Sequence, residues 1–143
     1  MIGLDTNVLV RFIVQDDPMQ SQEATYLIEK RLTSENKGFV SSIVLCEVLW
    51  VLKRAYRQPK EQLLVVVKLI LEADVLEVEN RDCAWRAYYD YDEGPADFSD
   101  YYIAQINKAH GASITVTFDD NALKHRLFKS PSFDKRIGDE ADF

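Results

Sequence analysis

Residues 114–119 have the sequence Ile-Thr-Val-Thr-Phe-Asp, and this stretch is the clearest strand signal in the chain. Its first four positions are all β-branched, and such side chains favour extended backbone because they pack well on a pleated surface. Asp119, Asp120 and Asn121, which come next, are residue types that cap helices. The pattern predicts a strand over 114–118 followed by a short helix over 122–128.

Short strands also alternate with helices through the rest of the chain. Further strands are predicted at 2–4, 39–40 and 75–78, and helices at 8–14, 18–32, 43–57, 59–73, 81–91 and 98–110. Helix starts are marked by Asp17-Pro18, by Ser41 or Ser42, by Asn80 and by Asp97. Strands that alternate with helices pair in parallel. The expected fold class is therefore α/β, a three-layer α/β/α sandwich around a central, mainly parallel sheet.

Length, charge and cysteine content set the broad class of the protein. The 143 residues suit one domain over 1–143, with about 130–143 as a loosely ordered tail. Two cysteines favour buried thiols and a cytoplasmic location, and no apolar run is long enough to span a membrane. The net charge of −7 argues, taken alone, against nucleic-acid binding. Acids clustered on cations would reverse that field locally.

Acidic residues fall where ligands bind in α/β proteins, beyond the carboxyl ends of the strands. Asp5 and Asp119 directly follow predicted strands. Asp100 lies in the first turn of a predicted helix, and Glu47 lies early in another. Glu47 also interrupts an apolar run, where a charge is costly to bury unless it is paired or bound to metal.

These four acids predict a site for a hard divalent cation such as Mg²⁺, which prefers oxygen ligands. Converging carboxylates repel one another, and a cation relieves that repulsion. A cation held in this way can activate water and stabilise the leaving oxygen of a phosphodiester. Two assignments stay open at this stage: Asp97 competes with Asp100, and Asp120 competes with Asp119, because each could be a helix cap instead.

Four segments together resemble the PIN domain family, and within it the VapC-type toxins of toxin–antitoxin pairs. The segments are residues 2–7 (Ile-Gly-Leu-Asp-Thr-Asn), Ser42 with Glu47, residues 96–104 (Ala-Asp-Phe-Ser-Asp-Tyr-Tyr-Ile-Ala) and residues 116–119 (Val-Thr-Phe-Asp). The resemblance implies an α/β/α fold, Mg²⁺- or Mn²⁺-dependent endoribonuclease activity on RNA, frequent homodimers and inhibition by a small cognate antitoxin protein.

The resemblance also implies which residues carry the reaction. The catalytic and metal-binding set is Asp5, Glu47, Asp100 and Asp119. The supporting set that the resemblance implies is Thr6 or Asn7, Asp97 and Thr117. Asp120 is also counted as a supporting residue but departs from the family, which frequently has a basic or polar residue there; it could be a helix cap or an extra ligand. Tyr101 and Tyr102 depart from the family, which usually has a smaller pair there, and this departure would reshape the substrate groove.

Other candidate residues have ordinary structural interpretations. His110 and His125 are expected on solvated faces rather than in catalysis. The aromatic group Trp85, Tyr88, Tyr89 and Tyr91 could stack on bases, but helical spacing favours a core or a dimer face. An alternative function is a PIN-like binding or scaffold module with weak or no catalysis, and the intact set of acids argues against it.

Overall fold

Three short strands from the first half of the chain lie side by side in a parallel sheet. In the computed structural model, which describes residues 1–132, β1 (Ile2–Gly3), β2 (Gly38–Val40) and β3 (Leu76–Val78) follow in the order β1-β2-β3. Gly38 pairs with Ile2 on one side and with Leu76 on the other. The chain between the strands is helical, as crossovers between parallel strands usually are.

The other described elements are six α-helices, two short helical turns and two further strands. The helices are α1 (Thr6–Val14), α2 (Pro18–Tyr26), α3 (Ser42–Arg54), α4 (Lys60–Glu72), α5 (Arg81–Glu93) and α6 (Phe98–Ala109). A π-helical turn covers Leu27–Arg31, and a 3₁₀ turn covers Ala122–Lys124. Strands β4 (Thr115–Val116) and β5 (Phe128–Lys129) pair in parallel in a second sheet. The chain forms two compact units, an N-terminal unit (Met1–Trp85) and a C-terminal unit (Arg86–Phe143).

In the N-terminal unit, α3 buries one apolar stripe. On α3 the buried residues are Leu45, Val48, Leu49 and Leu52, which is the spacing of one helix face. The start of α3 is capped by Ser41, whose hydroxyl accepts from the backbone N–H of Val44 at 3.1 Å. Asp17 caps α2 in the same way, with Pro18 in the first helical position. Both predicted helix starts are therefore confirmed.

The core of the C-terminal unit is largely aromatic. Phe98, Tyr101 and Tyr102 on α6 are all buried, and the Phe98 and Tyr102 rings lie 5.3 Å apart. The side chain of Asn107, also on α6, donates to the Thr115 hydroxyl at 3.0 Å and so ties the helix to β4. These contacts fix the strand that leads to Asp119.

The α/β class is confirmed, but several predicted elements have different bounds. The helix predicted over 122–128 is wrong: only a 3₁₀ turn forms, and Leu127 and Lys129 accept strand hydrogen bonds from Thr115 and Thr117. Pairing with β4 thus overrides the local helical pattern. The helix predicted over 18–32 becomes a π-helical turn after Tyr26. Residues 133–143 of the predicted tail lie outside the described residues.

Candidate active site

Asp5 lies where the chain leaves β1 and enters α1. Its side chain is the N-cap of α1, and its Oδ1 accepts from the backbone N–H of Thr6 at 2.7 Å. The residue is exposed, so its carboxylate is accessible to a ligand while it holds the helix start. The neighbouring Thr6 hydroxyl is buried and has no hydrogen-bond partner among residues 1–132. Asn7, the other predicted supporting residue here, is exposed.

Glu47 lies on the outward face of α3. The residue is exposed, and so are Ile43 and Trp50 on the same face, at 72% and 60%. Glu47 is therefore not buried, so the cost of burying its charge does not arise; the apolar run around it is divided between two helix faces. Asp5 and α3 both follow adjacent parallel strands, β1 and β2, so Asp5 and the start of α3 lie at the same edge of the sheet.

Asp97 and Asp100 together start α6. They form a capping box, in which the backbone N–H of Asp97 donates to Asp100 Oδ2 at 3.2 Å. Asp97 is exposed and Asp100 is half-buried. The structure thus gives both residues a role in helix capping, and the choice of Asp100 as the ligand stays a prediction.

Asp119 follows β4 and organises the 3₁₀ turn. Its Oδ1 accepts from the backbone N–H of Ala122 at 2.9 Å, and its own N–H donates to the Thr117 hydroxyl at 3.0 Å. Thr117 therefore contacts the backbone of the acid that it was predicted to support. Asp119 and Asp120 are both exposed, and the capping contact belongs to Asp119.

The Tyr101 hydroxyl lies in surroundings that raise its pKa. Burial is the largest cause that raises the pKa of Tyr101 above its ordinary value, and a hydrogen bond from the Ala96 N–H opposes it. The negative charges of Asp90, Asp100 and Asp119 raise this pKa further. Tyr101 and Tyr102 are core residues, at 1% and 0% exposure. Burial also raises the pKa of Tyr91 to about 12.

The donor chemistry of these acids fits a hard cation. Asp5, Glu47 and Asp119 present carboxylate oxygens to solvent, which suits Mg²⁺ or Mn²⁺ better than softer metals. Among residues 1–132 there is no group of three or more His, Cys, Asp or Glu side chains arranged to hold a metal ion. The four-carboxylate metal site therefore stays a prediction.

Sequence reasoning missed a polar cluster in the C-terminal unit. His125 was expected on a solvated face, but its Nε2 lies 3.1 Å from Asp90 Oδ1 and its side chain is only 17% exposed. Gln105 donates to the other oxygen of Asp90 at 2.7 Å. No local pattern predicts this cluster, because its members are far apart in sequence. The one visible feature is the Lys-His-Arg run at 124–126, which does not by itself indicate a contact with Asp90. His110, in contrast, is exposed as predicted.

Parallel strands followed by carboxylates are typical of α/β proteins that bind ligands at the strand ends. The PIN domain family model matches residues 2–126, so the chain belongs to the PIN domain family. PIN domains are generally nucleases, they typically use divalent metals, and PIN nucleases bind RNA. No curated protein matches the chain. Over the part of the chain that the structure describes, no helix is both long and apolar enough to cross a membrane.

Proposed function

We propose that the chain is an endoribonuclease that hydrolyses RNA phosphodiester bonds with Mg²⁺ or Mn²⁺. The observation that carries the proposal is the placement of the four acids within the family match. All four lie inside residues 2–126; Asp5 lies two residues beyond the end of β1, and Asp119 lies three residues beyond the end of β4. Asp5, Glu47 and Asp119 are exposed and Asp100 is half-buried, and a site for a polymeric substrate needs accessible carboxylates.

The proposed mechanism assigns a task to each residue of the set. Asp5, Glu47, Asp100 and Asp119 would hold the cation, directly or through water. When bound, such a cation lowers the pKa of water and stabilises charge on the phosphate oxygens. The backbone hydrogen bonds to Asp5 and Asp119 keep these carboxylates in fixed rotamers, so little reorganisation is needed when the charge of the substrate arrives. No side chain needs to form a covalent bond with the substrate.

Substitution Asp5→Asn tests the assignment. Asn is also a good N-cap, so α1 should keep its start while one charge and one ligand are lost. We expect cleavage of a fluorogenic RNA in Mn²⁺ to fall at least about 100-fold, a loss that chelation should reproduce. Asp74→Asn is the control, since Asp74 is an exposed acid of the same unit outside the set. Equal cleavage by Asp5→Asn and the wild type would contradict the proposal.

We further propose that the nuclease is the toxin of a type II toxin–antitoxin pair, acts in the cytoplasm and forms a homodimer. The support is the resemblance of the four acid-bearing segments to VapC-type toxins. Expression in a host cell should arrest growth, and Glu47→Gln should remove the arrest. The product of a small neighbouring reading frame should bind the protein and relieve it. Light scattering that gives a monomer mass would contradict the dimer alone.

A further inference from the structure

The C-terminal unit contains a cavity that the predicted acids do not line. Its volume is about 520 Å³, within the range of about 300–1,000 Å³ that is typical of small-molecule sites. The residues that matter for its chemistry are Asp90, Glu93, Tyr101, Lys124, His125 and Arg126. The cavity therefore combines two permanent cations with carboxylates and a buried phenol.

One wall of the cavity is rigid. A side chain at Gly94 would overlap the Tyr101 hydroxyl, so the backbone approaches the phenol as closely as it can. The same hydroxyl accepts from the backbone N–H of Ala96 at 3.1 Å, and Gly94 N–H donates to the Asp90 carbonyl at 2.9 Å. This wall is fixed before any ligand binds, which lowers the entropic cost of binding.

The opposite wall is the segment 124–126, held in place by the ring of His125. Nδ1 accepts from the backbone N–H of Leu127 at 3.2 Å, and Nε2 contacts Asp90 Oδ1 at 3.1 Å. Both ring nitrogens are thus engaged, so the ring is not placed to exchange protons with a ligand. Its role is to hold the backbone on which Lys124 and Arg126 stand.

Lys124 and Arg126 are the two cations that line this cavity. Both are exposed, and neither forms an ion pair with another residue of the range 1–132. Asp90, in contrast, already has His125 Nε2 at 3.1 Å from one carboxylate oxygen and accepts a hydrogen bond from Gln105 on the other. In a chain of net charge −7, two cations on one short segment, without an ion-pair partner among residues 1–132, are well suited to an anionic ligand.

We propose that this cavity holds one nucleotide of the RNA strand, with its phosphate on Lys124 and Arg126. Arg and Lys are the usual phosphate contacts in nucleic-acid complexes, and Glu93 can accept a hydrogen bond from a base or a ribose hydroxyl. The 3₁₀ turn connects the cavity to Asp119, whose carboxylate accepts from Ala122 N–H. The inference rests on the proposed ribonuclease function and adds a subsite that positions the strand.

Binding of a cleavage-resistant RNA separates this subsite from catalysis. The probe is a fluorescein-labelled 2′-O-methyl RNA 12-mer, followed by anisotropy at several salt concentrations. The double variant Lys124→Gln/Arg126→Gln is compared with Lys108→Gln/Lys129→Gln, which removes two exposed cations of the same unit that do not line the cavity. Urea unfolding of both double variants checks that the fold is kept.

We expect the cavity variant to bind about tenfold or more weakly, and the control variant to stay within about twofold of the wild type. Loss of the one phosphate contact should also reduce the slope of log affinity against log salt by about 0.7. Equal losses in the two double variants, or an unchanged slope in the cavity variant, would overturn the subsite. Absence of RNA binding by the wild type would overturn it as well.

The outcomes also separate the subsite from the proposed function. If the wild type cleaves RNA and the cavity variant binds RNA normally, the subsite is contradicted and the nuclease assignment stands. If the wild type binds RNA through Lys124 and Arg126 but does not cleave it, the nuclease assignment is contradicted and the subsite stands. His125→Gln, which can still donate to Asp90, should restore the binding that His125→Ala loses. Failure of that rescue would remove the positioning role of the ring.

Discussion

Glu47 in the N-terminal unit and Asp100 in the C-terminal unit are predicted to do the same work, yet they are attached to the fold differently. The Glu47 side chain is exposed and makes no hydrogen bond or ion pair with another residue of 1–132. Asp100 is half-buried and closes the capping box of α6. An acid with no task in the fold can be removed without disturbing it, whereas an acid that caps a helix cannot. The comparison separates loss of function from loss of stability.

Glu47→Gln should have the largest effect on activity and almost none on the fold. Loss of one ligand charge should lower RNA cleavage at least about 100-fold. The free energy of unfolding should stay within about 0.5 kcal/mol of the wild type, because the side chain is exposed. Cleavage rates and urea unfolding measure the two effects, with Glu61→Gln, an exposed acid of α4, as the control. A large loss of stability in Glu47→Gln would contradict the inference that Glu47 has no role in the fold.

Two glycines, one in each unit, extend the comparison to packing. A Cβ at Gly94 would overlap the Tyr101 hydroxyl, whereas a Cβ at Gly3 would meet no atom within 4 Å. Gly94→Ala should therefore lower the free energy of unfolding by about 1–3 kcal/mol through overpacking. Gly3→Ala should change it by about 0.5 kcal/mol or less. Equal losses of stability in the two variants, measured by thermal unfolding, would mean that the backbone at Gly94 shifts to accommodate the added methyl group.

Asp100→Ala should cost both activity and stability. Removal of the capping box should lower the free energy of unfolding by about 1 kcal/mol. Asp97→Ala should cost a similar amount of stability, since it removes the other half of the box. If Asp100 is the ligand, only Asp100→Ala should lower cleavage about 100-fold or more. Equal activity losses in the two variants would return the ligand assignment to an open question.

The smallest predicted effect is on the pKa of Asp16, whose side chain contacts Tyr56 and Arg11 in the N-terminal unit. The Tyr56 hydroxyl donates to Asp16 Oδ2 at 2.7 Å, and Arg11 lies 3.2 Å from Asp16 Oδ1. The Tyr56 hydrogen bond is the largest cause that lowers the pKa of Asp16, and Arg11 adds to it. A carboxyl with a lowered pKa contributes stability above the ordinary pKa of Asp, and this contribution is lost as pH falls through the lower folded value.

Tyr56→Phe should therefore move the pKa of Asp16 up toward its ordinary value. The variant should also lose less stability than the wild type on acidification below about pH 4. Carbon-detected NMR titration of the Asp16 carboxyl measures the shift directly. An unchanged titration would mean that the hydroxyl does not bond to Asp16 in solution.

Helix starts and the strands that precede the acids could be predicted, because their signals are local. Asp17-Pro18 and Ser41 cap helices by contacts within three residues, and β-branched residues identify the strand before Asp119. The helix expected over 122–128 failed because strand pairing between distant segments decides that stretch. Contacts over long separations, such as Asp90 with His125, leave no periodic trace in the sequence.

The pairing of β5 with β4 also bears on where this protein can be shortened. The family match ends at residue 126, but the backbone N–H groups of Thr115 and Thr117 donate to the carbonyls of Leu127 and Lys129. A chain cut at the family boundary would remove both acceptors, in the segment that leads to Asp119. A fragment that keeps this pairing therefore extends beyond the matched region, at least through Lys129.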